Sequence, residues 1–257
     1  MTVSENTKSG SELLSIQPII EPSMRWIRVQ FNGEITADSK RTLLLREAVG
    51  RLAYYFPEED VMMKHLEPGR SSGDGRRYFD VRVRDRVAEV GAWIYSDPPP
   101  ELDGLNGYFT FQWKEMDHWY EEDEEVFVHP RDPYHRVDFI GSSRYVRIEL
   151  NGISLAESQH PTIVYETSLP PRYYIPMEDV RMDLMETTQA KTRCPYKGEA
   201  SYWSVNLAGK SYRNFVWAYE DPIPEATKIS GMLCFFNEKI DLFVDGELQE
   251  RPITPWS

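Results

Sequence analysis

The sequence predicts a mostly β protein made of two tandem homologous small β domains, each of crossed antiparallel sheets in a tent- or sandwich-like arrangement with short helical turns. Three observations predict it: a repeat in constant register, Asn-Gly hairpin signals at the same place in both halves, and short alternating or β-branched runs bounded by turns. Arg28-Val29-Gln30-Phe31-Asn32-Gly33 is answered by Arg147-Ile148-Glu149-Leu150-Asn151-Gly152, 119 residues on. At the same spacing Ala37-Asp38-Ser39 meets Ala156-Glu157-Ser158, Glu47 meets Glu166, and Tyr54-Tyr55-Phe56-Pro57 meets Tyr173-Tyr174-Ile175-Pro176. Further on, Trp93 answers to Trp217 and Phe111 to Phe235, now 124 apart. Register kept over so many unlike residue types means duplication.

The elements follow in chain order. Residues 1–22 are polar with Pro18 and Pro22, and read as a flexible N-terminal arm. Residues 23–126 form the first β repeat, 127–143 a linker, and 144–257 the second repeat. The segments 25–31 and 145–150 alternate polar and apolar residues and end at Asn-Gly, a strong hairpin signal. Leu43-Leu44-Leu45-Arg46-Glu47 alone could be helical, but its counterpart Thr162-Ile163-Val164-Tyr165 is β-branched and aromatic, so both are expected to be strands. Pro57 and Pro176 precede acids, as at the start of a short helix. Segments 200–207, 215–219, 232–236 and 240–244 read as strands, the last reaching a turn at Asp245-Gly246. About seven short strands per copy are expected, at the spacing of sandwiches or barrels. The acids Glu121, Glu122, Asp123, Glu124 and Glu125 read as a solvated strand end or linker, and the Pro-bracketed 129–135 as an extended connection.

The two copies differ in length between Leu66-Glu67 and Tyr78-Phe79 of the first, and their equivalents Met185-Glu186 and Tyr202-Trp203. There the first copy has Ser71-Ser72-Gly73-Asp74-Gly75-Arg76, a turn composition. The second has Cys194-Pro195-Tyr196-Lys197-Gly198.

Composition narrows the function. A net charge of −13 argues against nucleic acid as a partner, and no apolar run approaches the roughly 20 residues of a membrane helix. Two cysteines make no disulfide framework, so a reducing cytoplasm is expected. The five histidines and two cysteines lack zinc spacing, so no metal is expected and the cofactor is left unknown. No phosphate-binding or dinucleotide-binding glycine loop occurs.

The densest polar and aromatic grouping lies in the second copy. A thiol at Cys194 and an ammonium at Lys197 are three residues apart, and a neighbouring cation favours thiolate. These two are the candidate catalytic pair; a small packed apolar role is the ordinary alternative for such a cysteine. Candidate ligand-binding residues are Tyr174, Tyr196, Trp203, Trp217 and Tyr219, as walls for a planar or cationic ligand, with Asp179, Arg181 and Asp221 to orient it. The shared aromatics could equally fill the core of a small β domain. Asp179 and Asp183 would share one face of a helical turn.

The order strand–Asn-Gly, Ala-Asp/Glu-Ser, Tyr-Tyr-x-Pro-x-Glu-Asp-Val, Cys-Pro-Tyr-Lys-Gly-x-Ala-x-Tyr-Trp, Trp-x-Tyr-x-Asp-Pro and Val-Asp-Gly resembles the domain-of-unknown-function family number four hundred and twenty-seven, which carries a nucleotidyltransferase-like label. The resemblance covers 25 to about 250 as two domains, and Asp132-Pro133-Tyr134-His135-Arg136 resembles the linker of two-domain members. It implies small, mostly β domains with crossed antiparallel sheets, and no established activity. The label would imply phosphate chemistry, yet no Gly-Ser followed by spaced aspartates is present to hold magnesium. The first copy departs from the family pattern by lacking Cys-Pro-Tyr-Lys-Gly.

The expected function is a cytoplasmic two-domain β protein whose second repeat binds a small organic ligand, with a degenerate first repeat as structural partner. The alternatives are an enzyme using Cys194 as nucleophile or redox thiol, and a non-catalytic scaffold. The two repeats are expected to pair within the chain, and a homodimer is open.

Overall fold

The computed structural model describes residues 17–48, 51–71, 73 and 75–257, apart from the side chains of Ala48 and Arg70. Most of the arm assigned to 1–22, and Ser72 and Asp74 of the first copy's turn, lie outside the described residues. The chain forms two compact units, Met1–Asp132 and Pro133–Ser257.

In the first unit β1 (Ile19–Pro22), β2 (Ile27–Phe31), β3 (Glu34–Ser39), β4 (Leu43–Ala48), β5 (Arg51–Pro57) and β6 (Leu66–Ser71) come first. β7 (Arg76–Val83), β8 (Arg86–Tyr95), β9 (Tyr108–Phe111), β10 (His118–Glu121) and β11 (Glu124–Glu125) complete it. The second unit repeats the series: β12 (Val137–Gly141), β13 (Val146–Leu150), β14 (Ile153–Ser158), β15 (Thr162–Glu166), β16 (Arg172–Ile175) and β17 (Met185–Cys194). Then follow β18 (Gly198–Leu207), β19 (Lys210–Ala218), β20 (Leu233–Phe235), β21 (Asp241–Val244) and β22 (Glu247–Leu248). The large sheets run β1-β4-β5-β9-β8-β7-β6 and β12-β15-β16-β20-β19-β18-β17, and the small ones β11-β10-β2-β3 and β14-β13-β21-β22. Strand for strand the two topologies are identical, and every ladder is antiparallel.

The local reasons are visible in the residues. Ile27, Val29 and Phe31 face inward while Arg28 and Gln30 do not, the period of a half-buried strand. The chain then reverses through Asn32 and Gly33, both at positive φ (47° and 78°), the geometry that makes Asn-Gly a tight hairpin turn. Asn151 and Gly152 do the same in the second repeat. Because side chains alternate across a sheet, the two members of each Tyr-Tyr pair separate. Tyr54 and Tyr173 enter the core between the sheets, whereas Tyr55 and Tyr174 join a smaller cluster on the outer face of the large sheet. The 3₁₀ turns Pro100–Leu105 and Pro224–Ile229 bring Leu102 and Leu105, or Ala226 and Ile229, into those outer clusters.

Several expectations need correction. Residues 19–22, placed in the arm, form β1, paired with β4. Residues 137–141, placed in the linker, form β12, paired with β15. Each therefore extends its large sheet, and with the two-residue hairpin strands they raise the count above seven. The acid run is a hairpin, with Glu121 in β10 buried rather than solvated: it accepts a hydrogen bond from the Tyr54 hydroxyl (2.8 Å) and pairs with Arg25. Asp179 and Asp183 do not share a helical face. They end or occupy two separate 3₁₀ turns, Met177–Asp179 and Met182–Leu184, and Val180 between them bridges to Ala156 of β14.

Candidate functional site

The Cys-Pro-Tyr-Lys-Gly segment is the turn between β17 and β18. Cys194 pairs with Gly198 across it, and Gly198 takes a φ of +104°, open to glycine at little cost. A Cβ there would lie 3.3 Å from the Ile223 nitrogen, because the turn is tied to the segment after β19: the Ile223 amide donates to the Lys197 carbonyl (3.2 Å).

This turn delivers the Lys197 side chain into the protein. Its Nζ donates to Glu166 Oε2 at 2.5 Å, and both side chains are only 8% exposed. Glu166 ends β15, and its other oxygen lies 2.9 Å from His135 Nε2. The His135 ring stacks on Tyr196 of the turn, centroids 4.2 Å apart. An ion pair this buried gives up the hydration of both charges and is weak evidence for stability as such; what marks it as a candidate site is its place on the one turn that the two copies do not share.

Cys194 stands beside this network. Burial pushes its thiol up, and the pull of the Lys197 ammonium and of the Tyr196 and Lys197 amides does not reverse that. The expected activation by Lys197 is therefore outweighed by desolvation, and the thiol is protonated at neutral pH. Cys234 is fully buried and raised further.

On the outer face of the same sheet, the Trp217 indole donates to the Tyr174 hydroxyl (3.1 Å) and packs against Phe236 with centroids 4.6 Å apart. Below them Arg172 makes a bidentate pair with Glu238 (2.8 and 2.6 Å), and Thr254 donates to the same carboxylate (2.6 Å). Burial alone would raise the Glu238 carboxyl, but the bonds from Arg172 and Thr254 win and hold it down to about 2.

Tyr219 is 6% exposed and packs in the same outer cluster as Tyr174, Trp217, Cys194 and Tyr202. Burial raises its pKa, and Cys194, Tyr202 and Glu166 add to the rise electrostatically.

Of the candidate residues, Cys194, Tyr196, Lys197, Tyr174, Trp217 and Tyr219 share this outer side of the second large sheet. Asp221 is exposed on the segment bound to the turn. Trp203 is elsewhere. Tyr202 is opposite Trp217 and Trp203 opposite Val216, so Trp203 points into the core between the sheets; it and Trp217 cannot wall one recess. Arg181 is also removed, forming an exposed pair with Asp183 (2.6 Å) next to β14. Asp179 sits on that side, where its counterpart Asp60 accepts from Ser39 (2.7 Å), a structural tie. Sequence reasoning missed Glu166 and His135 as site members. Glu166 had a signal, recurring in register with Glu47; His135 had one in the linker motif.

The chain is thus a tandem β protein with a buried polar network on the outer face of its second large sheet. The model of the family described as Domain of unknown function (DUF427) matches residues 19–122 and 138–246, and the chain belongs to that family in two copies. No curated protein matches it. Among the described residues no helix is long and apolar enough to cross a membrane, and no group of three or more metal-ligating side chains is assembled.

Proposed function

We propose that the second repeat binds a small organic ligand beside the turn at 194–198, bordered by Tyr219 and the Lys197–Glu166–His135 network. The observation that carries this is the buried Lys197–Glu166–His135 network, held by the one turn that the two copies do not share. Lys197 and Glu166 hold the turn in place, Tyr196 and Asp221 lie at its rim, and Tyr174 and Trp217 form the floor. Cys194 contributes a neutral thiol, which favours binding over nucleophilic catalysis. A cytoplasmic setting belongs to the same proposal, supported by an acidic, cysteine-poor chain.

Native mass spectrometry of freshly purified full-length protein tests this. A retained small molecule is expected, lost in Tyr219→Phe and in Lys197→Met. Retention that both variants leave unchanged would overturn the assignment of the site.

A further inference from the structure

The segment after β22 lies against the outer face of the second repeat. Residues 250–257 form no strand and close into one compact turn through bonds of their own. The Ser257 amide donates to the Thr254 carbonyl (3.1 Å), the Thr254 amide to Ser257 Oγ (2.9 Å), and Ser257 Oγ to the Pro252 carbonyl (3.3 Å). Pro252 and Pro255 restrict the backbone further. The segment thus keeps its shape by internal contacts and is tied to the sheet at root and tip. At the root Arg251 pairs with Asp241 at the surface (2.7 Å). At the tip Thr254 donates to Glu238 (2.6 Å). There too the Arg172 guanidinium carbon lies 5.7 Å from the Trp256 ring centroid and 5.6 Å from that of Trp217. Ile253, between root and tip, is 96% exposed, so little packing holds the middle down.

We propose that residues 250–257 are a hinged strap that closes the outer face of the second repeat, and that its release from Glu238 and Arg172, with the root held at Asp241, opens the site beside the 194–198 turn. This rests on the binding reading above and adds the regulation of that site. Trp217 and Tyr174, the floor, are buried, so a molecule reaches them only when something over them moves. Cys234 lies between these two in the sheet, and Arg172, Glu238 and Lys197 all act electrostatically on its thiol. The ion pair under the strap's tip and the one at the turn therefore border one patch. Release is cheap in charge, because Arg172 and Glu238 keep their bidentate pair without the strap and water can replace the hydroxyl. A preformed unit with few ties is the usual construction of a lid. The first repeat lacks both parts. In register it has Ala53 and Lys114 for Arg172 and Glu238, and the segment after β11 is tied to the small sheet instead, the Arg131 amide donating to Glu121 (3.2 Å). Strap and turn occur together, in the same repeat.

Fluorine NMR of the full chain labelled with fluorotryptophan tests this, with hydroxy-TEMPO, a small neutral nitroxide, as the probe of access. Trp217→Phe and Trp203→Phe assign the two resonances needed. Thr254→Val removes the donor at nearly constant size, and deletion of residues 250–257 removes the strap. In both, the Trp217 resonance should shift and be broadened by the nitroxide more than in the wild type. Trp203, in the core on the opposite face, should not respond, and Thr254→Ser, which keeps the donor, should behave as the wild type. A Trp217 resonance that both variants leave unchanged, or an equal response at Trp203, would overturn the strap. If the shortened chain does not fold, Thr254→Val decides. Native mass spectrometry separates the two readings. A molecule retained by the wild type should leave Thr254→Val sooner; equal retention beside a responding Trp217 overturns the control of access. A wild type that retains nothing while Trp217 responds sinks the binding reading and leaves the strap standing.

Discussion

The two repeats place the same three residue positions at the end of the small sheet, yet in different surroundings. In the first, Arg25, Glu121 and Tyr54 form one group, with the Glu121 side chain 8% exposed and the Arg131 amide also donating to it. In the second, the counterparts Arg144 and Asp245 make an open pair at 2.7 Å, each 50% exposed. Tyr173 there has only electrostatic influence from Arg144 and Asp245. On the outer face of the large sheets the order reverses. The second repeat buries Arg172 against Glu238, where the first, in register, has Ala53 and Lys114. A shared topology therefore does not distribute buried charge equally; each copy has concentrated it in a different place.

The largest effect expected from that difference is at Arg172. Glu238→Ala leaves a guanidinium buried without its partner and should destabilise the second unit by about 3–5 kcal/mol, whereas Lys114→Ala, in the equivalent position, should change the first unit little. Chemical denaturation of the full chain, with tryptophan fluorescence to follow it, reads both; equal effects would break the contrast. Acid gives an independent view. Glu238 titrates at about 2 when folded, against 4.5 ordinarily. A depressed folded value contributes stability that is complete above the unfolded value and is lost as pH falls through the folded one. The wild type should lose stability between pH 4.5 and about 2, and Glu238→Gln should flatten that part of the curve.

Next in size is Glu121→Ala, which strips the Tyr54 hydroxyl of its acceptor inside the protein and should cost about 1–3 kcal/mol. Asp245→Ala, removing a half-exposed, solvent-screened pair, should cost distinctly less. Comparable losses at the two positions would mean that burial is not what separates them. The smallest effect is kinetic. Only the second repeat has cysteines, and burial lowers the thiolate fraction of both. Cys194 should react with iodoacetamide at neutral pH more slowly than free cysteine, and Cys234 only on unfolding. Rapid labelling of Cys194 in the folded protein would restore the nucleophile.

Much of this was legible in advance where the physics is local. The Asn32-Gly33 and Asn151-Gly152 reversals, the strand at Leu43 inferred from Thr162-Ile163-Val164-Tyr165, and the turns after Pro57 and Pro176 depend on backbone preferences that neighbouring residues carry. The site was only partly legible. The 194–198 turn stood out by its chemistry, but Trp203 and Trp217 looked equivalent until pairing showed them on opposite faces, and a bulge in the β18–β19 ladder lies just beyond Trp203. His135 seemed to be linker because nothing near it in the chain reveals that Glu166 is its partner.

By itself the sequence determined the duplication, the β character of each half and the one turn that the copies do not share, since these follow from register, alternation and residue type over a few positions. Only the tertiary structure decided which side of a sheet each aromatic faces, which charges are buried together, and that Arg76 donates to the Tyr95 hydroxyl. Those outcomes turn on contacts between strands far apart in the chain, where shifting the register by one residue exchanges the two faces of a strand.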